Sequence, residues 1–317
     1  MTKYRIAFVG LGSIGKRHLK NLTDILRHRG DEFTIDAYRS SLNHELCTEI
    51  KPLIANEYLL SDELSADLMY DMVFVTNPTS IHWDTIQRFK NTTRSFFIEK
   101  PVFDTTEVDI HSIEEIQKNI CYVACPLRYN PVLQYIKNHI DCNSVYSVRA
   151  ISSSYLPDWR PGTDYRLCYS AHRDMGGGVG IDLIHEWDYL TYLFGMPQKS
   201  YSIQKKISHL DIDSDDIAIY IANTKNTTIE LHLDYFGRKN IRTLDLFMKN
   251  DTLHCDLLNS KIEYLASGQS VVFENERNYY QIKEIEHFLD IVDKKIASDS
   301  NITHALDVLK LAKGERL

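Results

Sequence analysis

The 317-residue sequence lacks a run of about 20 apolar residues, the length that a membrane-spanning helix requires, and its first apolar stretch is too short for a signal peptide. It also lacks a basic cluster, because its 36 Lys and Arg are scattered among 44 Asp and Glu, for a net charge of -8. Its six cysteines include no C-x-x-C motif. These absences argue against a membrane protein and a nucleic-acid-binding protein, and the cysteines are expected to be free thiols with packing roles. We therefore predict a cytosolic globular protein with no metal, no nucleic-acid partner and no membrane partner.

Strand and helix signals alternate through the first 124 residues. Apolar runs such as YRIAFVG (4–10), DMVFVT (71–76) and SFFIEK (95–100) are separated by helical patterns, among them 13–30 and HELCTEIK (44–51). Alternation at this interval predicts a doubly wound parallel sheet with helices on both faces.

From about residue 143 the pattern changes to long strand candidates with few helices between them. Examples are SVYSVRAISSSY (144–155), DDIAIYIAN (215–223) and TIELHLDYF (228–236). Such a run predicts an open, largely antiparallel mixed sheet, covered on one face by a helix that begins near Gly178. The expected fold class is α/β followed by α+β, with one domain over 1–124 and a second over 125–317.

The segment GLGSIG (10–15) joins the first predicted strand to the first predicted helix. Gly10 ends the strand, Gly12 leaves room for a pyrophosphate beside the backbone, and Gly15 lets the helix pack on the strand. The helix start at Ser13 and Ile14 offers N–H groups to the phosphates. This context favours a dinucleotide site over the alternative of a glycine-rich turn without a ligand.

The choice between NAD and NADP depends on the end of the second predicted strand, FTIDAYR (33–39). NAD sites place an acid roughly 20 residues beyond the glycines, and Asp36 has about this spacing but lies in mid-strand. The strand ends instead at Arg39 and Ser40, a guanidinium and a hydroxyl that suit the 2′-phosphate of NADP. We predict NADP, with NAD as the alternative in which Arg39 is only a solvated charge.

Five motifs follow one another in the order GLGSIG, VTNPTSIH (75–82), IEKP (98–101), CPLRYNP (125–131) and the GGG…D…H pattern that starts at residue 176. In this arrangement the chain resembles the Gfo/Idh/MocA oxidoreductases over essentially its whole length. The resemblance implies an N-terminal Rossmann domain, a C-terminal domain with a large open mixed sheet, and NAD(P)-dependent oxidation or reduction of sugars, inositols, sugar acids or nucleotide sugars.

Lys100 follows an apolar strand, which places it at the carboxyl edge of the sheet, where ligands of such folds bind. It is the candidate that shares the proton of the substrate hydroxyl. The resemblance adds Glu99 and Lys100 as cofactor contacts, and Asn77, Pro78 and His82 as the loop along the nicotinamide ribose. Without the resemblance, that loop reads as a turn and a helix cap.

The stretch GGGVGIDLIHEWD, which starts at residue 176, carries an acid, a histidine and two more acids. If 179–194 is one regular helix, an apolar stripe lies opposite His185, and Asp182 and Asp188 flank the histidine. Flanking acids fix the imidazole tautomer of a general acid or base, although a solvated helix face has the same pattern.

The resemblance makes Asp182 and His185 catalytic, with His185 moving the substrate proton near Lys100. The family spacing is D-x-x-x-H, whereas this sequence has D-x-x-H. In a regular helix the difference turns the aspartate by about 100° relative to the histidine. Either the helix starts later or Asp182 has lost its usual role.

A long loop-like segment, 156–174, is rich in aromatic and arginine residues. The candidate substrate-binding residues are Arg128, Trp159, Arg160, Tyr165 and Arg166. Arginines suit phosphate or carboxylate groups, so we predict a nucleotide sugar or a sugar acid as substrate. In the alternative, the arginines pair with aspartates of the same loop and only order it.

The predicted function is hydride transfer between nicotinamide and a secondary alcohol or ketone of a sugar. A non-catalytic NAD(P)-binding sensor on the same fold is the alternative, and the presence of both Lys100 and His185 favours the enzyme. A homo-oligomer, dimer or tetramer, is expected through the open sheet.

Overall fold

The computed structural model describes residues 1–65, 67–276 and 278–316. The chain forms two compact units. The first contains Met1–Pro126 and Asn278–Leu306, and the second contains Leu127–Arg277 and Asp307–Leu317. In the described part of the chain no helix has the length and apolar character needed to cross a membrane.

The N-terminal part of the chain alternates strands and helices. In chain order these are β1 (Lys3–Val9), α1 (Ser13–Arg29), β2 (Glu32–Arg39), β3 (Asn56–Leu59), β4 (Met72–Val75), α2 (His82–Phe89), β5 (Ser95–Ile98), α3 (Ile110–Ile116) and β6 (Ile120–Val123). The six strands are parallel, in the order β3-β2-β1-β4-β5-β6. This confirms the predicted doubly wound sheet, whose strand order reverses between β1 and β4.

One predicted helix in this region is wrong. The segment 44–51 forms no α-helix, and only a short 3-10 turn, Lys51–Leu53, begins at its end. The segment has few apolar residues to bury, so packing does not stabilise a helix there.

The rest of the chain contributes a second sheet and most of the remaining helices. In chain order the elements are α4 (Pro131–His139), β7 (Ser147–Tyr155), α5 (Val179–Asp182), α6 (His185–Phe194), β8 (Lys199–Lys205), β9 (Ile217–Asn223), β10 (Thr228–Asp234), β11 (Phe236–Phe247), β12 (Thr252–Asp256), β13 (Lys261–Tyr264), β14 (Ser270–Val272), α7 (Tyr279–Val292) and α8 (Ile302–Ala312). The sheet order is β14-β13-β12-β11-β7-β10-β9-β8. Its neighbours are antiparallel except for β7 and β10. The prediction of an open, largely antiparallel mixed sheet is confirmed.

The core of the first unit is built from stacked aromatic rings on neighbouring strands. Phe8 of β1 stacks on Phe74 of β4 with ring centres 4.5 Å apart, and Phe74 lies 4.9 Å from Phe97 of β5. Phe288 of α7 closes the same cluster, 5.3 Å from Phe97. Each of these buried rings contributes about 1.5–3 kcal/mol of hydrophobic stabilisation. The segment that contains α7 therefore completes the core of a unit whose strands lie more than 150 residues earlier.

Helix α6 covers one face of the second sheet. Trp187 of α6 packs edge-on against Tyr220 of β9, with ring centres 5.3 Å apart, and both side chains are buried. Because side chains alternate along a strand, Ile221 points to the opposite face. That face is apolar near its edge, where Tyr201 is 69% exposed, Ile203 56% and Ile221 52%.

Candidate active site

The glycine turn before α1 leaves space for a phosphate group. A Cβ built on Gly12 would have no atom within 4 Å, whereas one on Gly15 would lie 2.4 Å from the Gly10 carbonyl oxygen. The Thr76 hydroxyl donates to the same carbonyl at 2.6 Å. Among the described residues no side chain caps the start of α1, and its first turn carries no acid. Open space above unsatisfied N–H groups at the positive end of a helix fits a dinucleotide pyrophosphate.

The carboxyl ends of three adjacent strands define one edge of the first sheet. Val9 of β1 pairs with Val75 of β4, and Val75 pairs with Ile98 of β5. The residues that follow these positions include Gly10, Asn77 and Lys100, which therefore share the edge at which the strand order reverses. Open α/β sheets bind ligands at this place.

Strand β2 ends at Arg39 with Asp36 in mid-strand, as the sequence predicts, and the structure adds a partner for Arg39. Asp36 is fully buried in mid-strand and accepts hydrogen bonds from Tyr70 at 2.9 Å and Asn56 at 2.8 Å, so it does not reach a ribose. Arg39 is not a solvated charge either, because its Nη1 donates to Glu57 Oε2 at 2.5 Å. Ser40 follows the strand and is exposed.

The loop after β4 is held by a buried histidine. His82 is fully buried, with Nε2 3.0 Å from the Asn77 carbonyl oxygen and Nδ1 3.2 Å from that of Val102. Burial lowers the pKa of His82, against the effect of both carbonyls. The Asn77 side chain donates to Thr85 at 2.7 Å, and Pro78 precedes the short turn Thr79–Ile81. His82 thus joins the loop after β4 to the segment after Lys100, and its own role toward the cofactor stays a prediction.

Glu99 connects Lys100 to helix α1. His18 Nε2 lies 2.5 Å from Glu99 Oε1, and Glu99 Oε2 accepts from the Lys100 backbone N–H at 3.1 Å. The His18 side chain is 1% exposed and packs against the ring of Phe97. Burial raises the pKa of Glu99, but the hydrogen bond from His18 and the nearby positive charge of Lys100 outweigh it and hold the pKa below its usual value. The carboxylate is therefore ionised beside the lysine, and the Lys100–Pro101 peptide bond is cis.

Residues 179–194 do not form the single regular helix on which the flanking-acid arrangement depends. Helix α5 ends at Asp182, Leu183 has φ -96° and ψ 30°, and α6 begins at His185. Gly178, with φ +136°, precedes α5. The rotation of about 100° per residue therefore does not relate Asp182 to His185.

The Asp182 and Asp188 carboxylates each accept hydrogen bonds from another segment of the second unit. The Asp182 side chain accepts a hydrogen bond from the Tyr235 hydroxyl at 2.6 Å. The Asp188 carboxylate accepts two from Arg128, at 2.9 and 2.7 Å. Arg128 is 2% exposed, so this pair braces α6 against the segment before α4. Removing one partner of such a buried pair costs about 3–5 kcal/mol, so Arg128 has a structural role. Its contact with the substrate stays a prediction.

The other predicted substrate residues lie in the loop after β7. Trp159 donates to Ser154 at 2.9 Å and packs edge-on against Tyr235, and the Arg160 guanidinium lies 5.2 Å from the centre of the Tyr169 ring. Tyr165 accepts a hydrogen bond from the Asp211 backbone.

Arg166 binds an aspartate of its own loop. Its guanidinium makes a bidentate pair with Asp164, with Nη2 2.7 Å from Oδ2, and remains 55% exposed. This contact matches the alternative in which loop aspartates order the arginines.

The sequence prediction missed two tyrosines beside Asp182. The Tyr235 side chain is fully buried, and burial raises its pKa well above the usual value, with Asp182 acting in the same direction. Burial and Asp182 raise the pKa of Tyr169 to about 12. Trp159, Arg160 and the two tyrosines therefore gather around Asp182 in the second unit. No local motif marks either tyrosine, because Tyr235, which follows β10, and the loop that carries Tyr169 meet Asp182 only in the folded unit.

The parallel sheet, its strand reversal and the open glycine turn define a dinucleotide-binding Rossmann protein. The model of the Gfo/Idh/MocA oxidoreductases, described as "Oxidoreductase family, NAD-binding Rossmann fold", matches residues 4–124. This match confirms, over those residues, the resemblance that the sequence motifs carry.

Several known proteins are similar to the chain. The scyllo-inositol 2-dehydrogenase (NAD(+)) of Bacillus subtilis (strain 168) is 26% identical over 213 residues, which is 62% of this chain and 56% of that protein. The chain thus spans little more than half the length of the first curated relatives it matches.

Solved structures share the fold over nearly the whole chain. UDP-N-acetylglucosamine 3-dehydrogenase GnnA from Acidithiobacillus ferrooxidans has a TM-score of 0.77 at 19% identity, and covers 100% of this chain and 97% of its own. A levoglucosan dehydrogenase in complex with NADH has a TM-score of 0.82 at 15% identity, with 98% and 95% covered.

Proposed function

We propose that the chain is an NAD(P)-dependent dehydrogenase or reductase that acts on a CH–OH group of a sugar derivative. The observation that carries the proposal is the position of Lys100, directly after β5 at the edge where β1 and β4 reverse the strand order, beside an ionised Glu99. The similar proteins include dehydrogenases of inositol, levoglucosan and a UDP-sugar. We assign dinucleotide binding to 1–124, and substrate binding and assembly to 125–317.

The chemistry requires a proton path. A nicotinamide dinucleotide, which the glycine turn before α1 would hold, would supply the hydride acceptor for the substrate carbon. Lys100 donates a hydrogen bond to the substrate oxygen, and His185 takes the hydroxyl proton as general base, with Asp182 in support. In the reverse direction His185 returns that proton to the new alkoxide.

The cofactor proposal concerns the end of β2. From the sequence alone, Arg39 and Ser40 favour NADP. The pairing of Arg39 with Glu57 favours NAD instead, and the family description and the neighbouring NADH complex agree with this choice. We therefore propose NAD.

We propose a nucleotide sugar or a sugar acid as the substrate. Trp159 and Arg160 offer a ring and a cation in the cluster around Asp182, Tyr165 is on the same loop, and Arg166 remains more than half exposed. A panel of nucleotide sugars, sugar acids and neutral polyols, followed by nicotinamide absorbance, tests the proposal. Faster turnover of the neutral polyols would show that the substrate class is wrong.

Replacing Lys100 by Ala separates an enzyme from a sensor. An enzyme loses turnover by about 10²-fold or more, since both proton positioning and substrate orientation are removed. Lys118→Ala, on the same unit, is the control. Unchanged turnover in Lys100→Ala would remove the proposed mechanism.

We also propose that the open sheet face joins two or more copies of the chain. The cluster of Tyr201, Ile203 and Ile221 supports this, because exposed apolar side chains on adjacent strands are typical of subunit contacts. Light scattering on the wild type and on Ile221→Lys tests it, and a monomeric wild type would contradict it.

A further inference from the structure

The guanidinium of Arg39 is held from two sides. Nη1 donates to Glu57 Oε2 at 2.5 Å, and Nη2 donates to the His44 carbonyl oxygen at 2.5 Å. The Arg39 side chain is 14% exposed and that of Glu57 is 30% exposed. The positive charge at the end of β2 is therefore already neutralised by a carboxylate that solvent can still reach.

The pair is built into the sheet. In the parallel register of β2 and β3, Glu57 lies opposite Ala37 and Leu59 lies opposite Arg39. Ala37 and Arg39 point to the same face because side chains alternate along a strand, so Glu57 is a diagonal neighbour of Arg39. Asp36 points to the other face and is fully buried. Glu57 is thus the acid on the face that Arg39 occupies.

NAD and NADP differ in the chemical group that they would bring to the end of β2. The end of the second strand binds the 2′ position of the adenosine ribose, which is a hydroxyl in NAD and a phosphate in NADP. A hydroxyl donates to a carboxylate, whereas a phosphate with a charge of about -2 is repelled by it. To bind the phosphate, the Arg39 guanidinium would have to break its ion pair with Glu57. The Glu57 carboxylate would then be unpaired beside a second anion.

We propose that Glu57 selects NAD over NADP by neutralising Arg39 and by offering its own carboxylate to the ribose. The inference rests on the proposed function, because it requires a nicotinamide dinucleotide in the first unit. Removing the charge of Glu57 converts the site to one that accepts NADP, since Arg39 is then the dominant charge.

The test is calorimetric titration of the full chain with NAD and with NADP. Glu57→Gln keeps the size of the side chain and one acceptor oxygen. Glu115→Gln is the matched control, because Glu115 forms an ion pair with Lys90 elsewhere on the same unit and the change in net charge is the same. The double variant Arg39→Ala/Glu57→Gln tests whether Arg39 carries the effect.

We expect wild type and Glu115→Gln to bind NAD at least about tenfold more tightly than NADP, a difference of about 1.4 kcal/mol. Glu57→Gln should gain at least about tenfold in NADP affinity, and the double variant should lose that gain. An unchanged affinity ratio in Glu57→Gln, or a gain that survives in the double variant, would overturn the inference alone. Binding of neither nucleotide by any variant would overturn the proposed function and the inference with it.

Discussion

Replacing His18 by Leu should destabilise the first unit through a single buried contact. His18 is 1% exposed and its Nε2 is 2.5 Å from Glu99, whose side chain is 13% exposed. A lost hydrogen bond to a charged group costs about 1.5–3 kcal/mol, and a fully unpaired buried charge costs about 3–5 kcal/mol. Because Glu99 keeps the backbone N–H of Lys100, we expect a loss of about 2–3 kcal/mol.

Hydrogen exchange at the backbone amides of β5 and α1 measures the free energy of opening of the first unit. The value reports this unit whether or not the second unit unfolds at the same time. His28→Leu, an exposed position on the same helix, is the control and should change the free energy of opening by less than about 0.5 kcal/mol. The double variant His18→Leu/Glu99→Gln should be more stable than His18→Leu, because no carboxylate is then left without its donor.

The loss should depend on pH in a defined direction. In the wild type the pKa of Glu99 lies below its usual value of about 4.3, so its stabilisation is present above that pH and is lost as the pH falls. Without His18, burial dominates and raises the pKa of Glu99, so the variant loses stability as the pH rises. The difference between wild type and variant should therefore widen from pH 5 to pH 7. A difference that is independent of pH, or equal in the single and double variants, would refute this reasoning.

Two further predictions concern the glycine turn and Asp182. Gly15→Ala should lower the melting temperature of the ligand-free chain, because its Cβ would lie 2.4 Å from a carbonyl oxygen. Gly12→Ala should keep the melting temperature of the wild type but bind NAD more weakly. Calorimetry checks both, and equal melting of Gly15→Ala and wild type would contradict the first. Tyr235→Phe removes the donor to the buried Asp182 carboxylate and should cost about 1.5–3 kcal/mol in urea unfolding; a loss below 0.5 kcal/mol, within the range of surface substitutions, would show that the bond contributes little.

The glycine turn was predictable because its information is local. A strand, a turn and a helix follow one another within residues 3–29, and the nearest atom to a Cβ on Gly15 would be the Gly10 carbonyl oxygen of the same turn. The place of Lys100 was predictable for the same reason, since a lysine directly after a buried strand can only emerge at the edge of the sheet.

The end of β2 was not predictable in the same way. Taken alone, Arg39 predicts a phosphate ligand. Its partner Glu57 is 18 residues away on β3, and no local pattern specifies the register of β3 with β2. The sequence alone shows His18 as one more polar residue of an amphipathic helix, and only the fold places Glu99, which follows β5, beside it. The role of a charged side chain depends on the group it pairs with. That group is set by contacts between segments that are distant in the sequence.

The relation of Asp182 to His185 shows why a spacing argument can fail even when its residues are well chosen. The comparison of D-x-x-H with D-x-x-x-H assumes one helix, in which a missing residue rotates the aspartate away. In the structure the chain between them is a turn at Leu183 and Ile184, so a change of one residue alters the turn rather than a helical rotation. Asp182 is fixed by Tyr235, whereas His185 is set by the first turn of α6. The turn between them, and not a helical rotation, sets the relation of the two residues, so the spacing gives no reason to deny Asp182 a role beside His185.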